Sequence, residues 1–96
     1  MDEAQRQLKK QWLAEQKAAA RKAFPLPDPE LTALFEYVDH RVAESGCDHS
    51  LRFTMSWLEQ RQHGPEQVVA WLEDNGGFCD CEVVANALDH WEQNRS

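Results

Sequence analysis

The sequence predicts an all-α fold: two helical hairpins, about four helices, preceded by a basic N-terminal helix. Three observations carry this. Residues 4–24 are almost all strong helix formers; Leu31, Leu34, Phe35, Val38 and Val42 recur at helical spacing; and Gly46, Gly64-Pro65 and Gly76-Gly77 punctuate the chain where helices would stop. No segment alternates apolar and polar residues as a half-buried strand would.

The first helix is expected over Ala4 to Phe24, with Ala4, Leu8, Trp12, Ala19 and Ala23 near one stripe and Lys, Arg and Gln around the rest. It ends in Phe24-Pro25-Leu26-Pro27-Asp28-Pro29, where prolines fix φ, remove donors and push preceding residues toward extended backbone. Residues 1–24 thus read as a basic helix, 25–29 as a linker and 30–96 as the compact domain. Asp28-Pro29-Glu30 opens the second helix as N-cap, proline and acidic first turn. Asp48 or Ser50 can cap a third helix with Leu51, Met55 and Leu58 on its apolar face and Phe53 and Trp57 beside them. A short fourth helix turns Val68, Val69 and Leu72 inward with Trp71. Asp80 can cap the last, whose face is Val84, Ala87, Leu88 and Trp91.

Composition bounds what such a chain can be. Its 96 residues, 42% hydrophobic and 28% charged with mean hydropathy −0.72, suit one small folded domain. No apolar run is long enough to span a membrane, and the first residues lack the apolar core of a secretory signal, so a cytoplasmic location is expected. Six bases against three acids give residues 1–24 a charge of +3, leaving −10 of the net −7 for the remainder. That acidic remainder disfavours phosphate backbones, so nucleic acid could be engaged only through the basic helix. The helix is expected to lay its weak apolar stripe on the acidic body, with Trp12 either docking it there or anchoring a protein partner.

The chemistry concentrates in two matching tripeptides, Cys47-Asp48-His49 and Cys79-Asp80-Cys81, each preceded by glycine within two residues and each placed at a helix start. Cys47, His49, Cys79 and Cys81 form a Cys3His set suited to a closed tetrahedral zinc site, which would tie the two hairpins together. A domain this small gains roughly 3–5 kcal/mol from its core, so a staple is of use. The middle aspartates would cap the adjoining helices and fix the turns. One intervening residue is a tighter bite than the usual zinc knuckle. Buried free thiols, a disulfide involving Cys79, and a redox pair of Cys79 and Cys81 are the other readings of the same residues.

Gly46-Cys47-Asp48-His49-Ser50-Leu51-Arg52-Phe53-Thr54, Trp57-Leu58, Trp71-Leu72 and Gly76-Gly77-Phe78-Cys79-Asp80-Cys81-Glu82-Val83 together resemble the bacterial family termed domain of unknown function 2695, over about residues 25–92. The resemblance implies a small, mainly bacterial protein and brings no assigned activity or catalytic residue.

The remaining candidates have plainer accounts. His40, His63 and His90 read as solvated or helix-end histidines, and Trp57, Trp71 and Trp91 as core anchors rather than a stacking platform. Gly76-Gly77 reads as a helix stop, too short for a phosphate loop. With no nucleophile–base pair and no inward carboxylate pair, a non-enzymatic module is the expectation.

Overall fold

A computed structural model describes residues 3–95. In chain order they form α1 (Glu3–Lys22), α2 (Asp28–Ser45), α3 (Arg52–Gln60), α4 (Pro65–Asp74), the short turn of helix α5 (Asp80–Glu82), a π-helical segment (Val83–Ala87) and α6 (Leu88–Asn94). The fold is all-α, as expected, with no strand among the described residues.

Helix α1 carries Glu3 in its first turn and Arg21 and Lys22 in its last, complementing the helix dipole at both ends. No α1 residue is buried, and Leu8, Trp12 (56% exposed) and Leu13 face solvent. The expected stripe of Ala4, Leu8, Trp12, Ala19 and Ala23 stays exposed, alanine supplying little apolar area to bury, although α1 does approach the body at α6. At about 30 Å long, α1 accounts for much of a molecule that measures 52 × 24 × 19 Å.

The proline-rich segment packs on the body. Phe24 and Leu26 lie against the core, and the Phe24 ring meets Trp71 edge-on at 5.7 Å. Pro27 takes the N-cap position of α2 with no side-chain cap, its carbonyl accepting the Glu30 and Leu31 amides. The Asp28 carboxylate, expected as that cap, accepts the Trp91 indole N–H at 3.2 Å, fastening the start of α2 to α6.

Helix α2 is the spine on which both α3 and the final helical stretch pack. Leu31, Leu34, Phe35 and Val38 are buried at the i, i+3, i+4, i+7 spacing read from the sequence. Gly46 ends the helix at φ 75°, ψ 175°, a region that glycine alone occupies without strain.

On α3 the buried face is Phe53, Thr54, Trp57 and Leu58, and Met55 is 42% exposed. The helix is thus rotated from the expected Leu51/Met55/Leu58 face, because its first turn is held inward by Asp80. His63 lies just past its end, a helix-end histidine as one of the two expectations had it, but half-buried rather than solvated. It stacks on Trp57 at 5.6 Å and hydrogen-bonds Glu30 at 3.0 Å. His40 stays exposed beside Glu44, and His90 lies against Phe24 and Trp71.

Val68, Trp71 and Leu72 of α4 enter the same core, after which the Gly77 amide returns to the Leu72 carbonyl at 2.7 Å. A Cβ on Gly77 would lie 3.0 Å from that oxygen and 3.2 Å from Val83 Cγ2, so any larger residue here would have to press its neighbours back by a few tenths of an ångström. Val83, Ala87 and Trp91 close the core from the last stretch. Val84 and Leu88, expected to share that face, are only partly buried. Thr54 and Asp80 are the buried polar residues of this core.

Candidate metal centre

The two tripeptides meet. Cys47 follows Gly46 at the end of α2, while Cys79 is the N-cap residue of α5 and Cys81 lies within it. The three sulfurs lie within 4.8 Å of one another, and Cys79 Sγ is 3.3 Å from Cys81 Sγ. Cys79 is buried, Cys47 half-buried and Cys81 at the surface. The ligand atoms of this group come from the three cysteines; the fourth expected ligand, the His49 imidazole, is not among them.

Backbone bonds stitch the two arms crosswise. The Cys81 amide donates to Cys47 Sγ at 3.4 Å, as does the His49 amide at 3.4 Å. The Asp80 amide donates to the Ser50 carbonyl at 2.9 Å. To place its amide this way His49 adopts φ 67°, an uncommon conformation outside glycine. Around the same turn the Asp48 carboxylate accepts the Ser50 amide at 3.1 Å and the Ser50 hydroxyl. It also lies 3.5 Å from Arg52 Nε. Arg52 in turn covers the Phe53 ring at 4.4 Å, bracing the turn against α3.

Asp48 fixes its turn as expected, but neither middle aspartate caps the helix that follows it. Asp48 builds a local Asx turn and caps no helix; the N-cap position of α3 is Leu51, without a side-chain bond. Asp80 does not cap its own helix. Its carboxylate, fully buried, accepts the Phe53 amide at 3.0 Å, the Thr54 amide at 3.1 Å and the Thr54 hydroxyl at 2.8 Å. Asp80 is thus the cap of α3, supplied from the other arm. It satisfies two free first-turn amides and places its charge at the positive end of the helix.

The thiols differ electrostatically. The Cys81 amide, aided by the His49 amide against a smaller opposing effect of burial, holds the Cys47 thiol below its ordinary value. Burial pushes the Cys79 thiol up to about 12. The Asp48 carboxyl lies below the ordinary carboxylate value, chiefly through the Ser50 hydroxyl.

The donor chemistry suits a thiophilic ion. About a zinc ion with Zn–S near 2.3 Å, tetrahedral sulfurs stand about 3.8 Å apart, a spacing within reach of a trio whose members all lie within 4.8 Å. Amides donating to a thiolate are the outer contacts that orient and tune a metal ligand. The sequence reading missed Glu82, whose Oε1 lies 3.5 Å from Cys79 Sγ. Its place three residues after Cys79, one helical turn on, was the available signal.

An all-α domain with cysteines clustered from the end of one helix and the start of another is the class this geometry defines. Residues 34–86 match the model of the family described as "Protein of unknown function (DUF2695)", and the chain belongs to that family. The match is narrower than residues 25–92 but contains both tripeptides. The chain is also similar to uncharacterized proteins of Mycobacterium bovis and of two strains of Mycobacterium tuberculosis, each 39% identical over 57 residues, or 59% of this chain. The alignment spans 58% of the length of each relative. No solved structure matches. Among the described residues, no helix is long and apolar enough to cross a membrane.

Proposed function

We propose that this protein is a non-enzymatic, metal-stapled helical module in which structural zinc is held by Cys47, Cys79 and Cys81, acting in a reducing, cytoplasmic setting as a protein-interaction or regulatory accessory. The supporting observation is the convergence of three thiols from two arms 32 residues apart onto one point. Thiolates favour zinc-class ions, and an ion joining the arms would add its binding energy to a small core. The exposed basic helix α1, with Leu8, Trp12 and Leu13 toward solvent, is the docking element of this reading.

Elemental analysis and native mass spectrometry of protein purified without a metal-affinity tag test the reading, with helical circular dichroism before and after a strong chelator. One zinc per chain and chelator-induced melting are expected, and Cys79→Ser should remove both the metal and most of the stability. A metal-free chain of full stability overturns it.

The 3.3 Å approach of Cys79 and Cys81 sulfurs supports a second reading, a thiol-redox or metal-sensing protein. Peroxide would take two electrons from the two thiols, forming the S–S bond and two waters and releasing the ion. Retention of metal and of three titratable thiols after mild peroxide excludes it.

A further inference from the structure

We infer that the fourth donor to an ion held by Cys47, Cys79 and Cys81 is the Glu82 carboxylate rather than the His49 imidazole. The inference rests on the metal reading above and names the ligand that completes it.

Three thiolates leave one corner of a tetrahedron open. Glu82 Oε1 stands 3.5 Å from Cys79 Sγ. In a tetrahedral site with Zn–S near 2.3 Å and Zn–O near 2.1 Å, sulfur and oxygen would be about 3.6 Å apart; the Cys79 contact meets that spacing, and a turn of the Glu82 side chain would bring its carboxylate toward the other two sulfurs, with which it does not yet share the 4.8 Å group. Cys79 and Glu82, three residues apart, share a face of the same helical turn. Glu82 is half-buried, and among the described residues its carboxylate has no other hydrogen bond or ion pair. A half-buried carboxylate against sulfurs that an ion has ionised would meet like charge, unless it binds that ion too; coordination turns the repulsion into attraction. His49 offers the opposite picture. Its amide serves Cys47, its backbone sits at φ 67° and the residue is exposed; neither its imidazole nor the Glu82 carboxylate belongs to the trio within 4.8 Å, but of these two side-chain groups only the Glu82 carboxylate touches one of the sulfurs. A hard oxygen beside three soft sulfurs also sets selectivity, favouring zinc-class divalent ions over softer ions that three thiolates alone would take.

Cobalt(II) substitution of the full, reduced chain tests the assignment, since sulfur-to-cobalt charge transfer reports the thiolates and the d–d bands report the fourth donor. Wild type, Glu82→Gln, Glu82→Asp and His49→Ala are compared, with zinc affinity read by chelator competition and folding by circular dichroism. Glu82→Gln should keep the charge-transfer intensity, shift the d–d bands and weaken zinc binding by at least the roughly 10- to 100-fold typical of losing a group that supports a metal site. Glu82→Asp, which returns an oxygen donor on a shorter stem, should recover part of that affinity. His49→Ala should overlay the wild type. A shifted spectrum in His49→Ala, an unshifted one in Glu82→Gln, or no recovery in Glu82→Asp overturns the assignment of Glu82. Absence of any charge transfer in the wild type overturns the metal reading itself.

Discussion

Asp80 receives two hydrogen bonds from Thr54, one from its amide at 3.1 Å and one from its hydroxyl at 2.8 Å, across 26 residues of chain. Together with the Phe53 amide, these make one carboxylate the joint between the second cysteine arm and the start of α3. Asp80→Ala would strand two buried amides and a hydroxyl, a loss of about 3–5 kcal/mol on the scale of a broken buried charged network. That equals the whole stability expected of so small a core. The variant should therefore be unfolded or nearly so at 25 °C without metal, as read by circular dichroism. Thr54→Val keeps the amide bond and removes only the hydroxyl, so its urea midpoint should fall by the equivalent of about 1–2 kcal/mol.

In the metal-free chain the thiols should differ in reactivity. The Cys47 thiol lies below its ordinary value and Cys79 is pushed up to about 12. Alkylation near pH 8 followed by mass mapping should label Cys47 well before Cys79. Labelling of Cys79 first contradicts the burial and hydrogen bonding described above.

The same shift gives a pH dependence with a definite sign. Cys79 has a folded value raised above its ordinary 9.0 by burial. Its contribution to metal-free stability is therefore complete below pH 9 and lost as pH rises from 9 toward 12, because the unfolded chain ionises first. Between those limits the stability of the metal-free protein should fall more steeply than that of Cys79→Ala, compared by urea titration. Parallel profiles contradict the shift.

Gly77→Ala places a methyl 3.0 Å from the Leu72 carbonyl oxygen and 3.2 Å from Val83. Backbone must move to accept it. A cost of about 1–3 kcal/mol is expected, visible as a lowered thermal midpoint.

Removal of residues 3–22 should leave the body folded, since α1 buries none of its residues. Its midpoint should change by less than about 1 kcal/mol equivalent, in keeping with loss of surface groups only. A large drop would show that the approach of α1 to α6 carries stability the exposed helix does not suggest.

Local patterns were legible in the sequence where one element decides its own fate. The α2 stripe from Leu31 to Val38 and the stops at Gly46 and Gly76-Gly77 follow from helical period and backbone freedom, and the structure has them. Meeting of the cysteines was legible in the likeness of the two tripeptides; both were expected at helix starts, but only Cys79-Asp80-Cys81 lies at one, while Cys47 follows the end of α2. What escaped were relations between distant segments. No spacing rule links position 80 to positions 53 and 54, so Asp80 reads from sequence as a cap for its own helix. The same trans bond turns α3, which is why Met55 lies outward and Thr54 inward. His63 read as a solvated or helix-end histidine, and its partners stayed hidden because Glu30 and Trp57 approach it only after α2 and α3 have packed.

The π-helical segment Val83–Ala87 stands between the cysteine-bearing turn and the half of the helix that carries Trp91. A π turn amounts to one surplus residue in an α-helix, and each residue turns the helix by about 100°. The thiols at one end and the tryptophan at the other are therefore set at their mutual angle by a single amino acid of chain length. Shortening this stretch by one residue would leave every remaining side chain intact and still swing the two ends out of phase. The centre and the core could then no longer both be satisfied by the same helix.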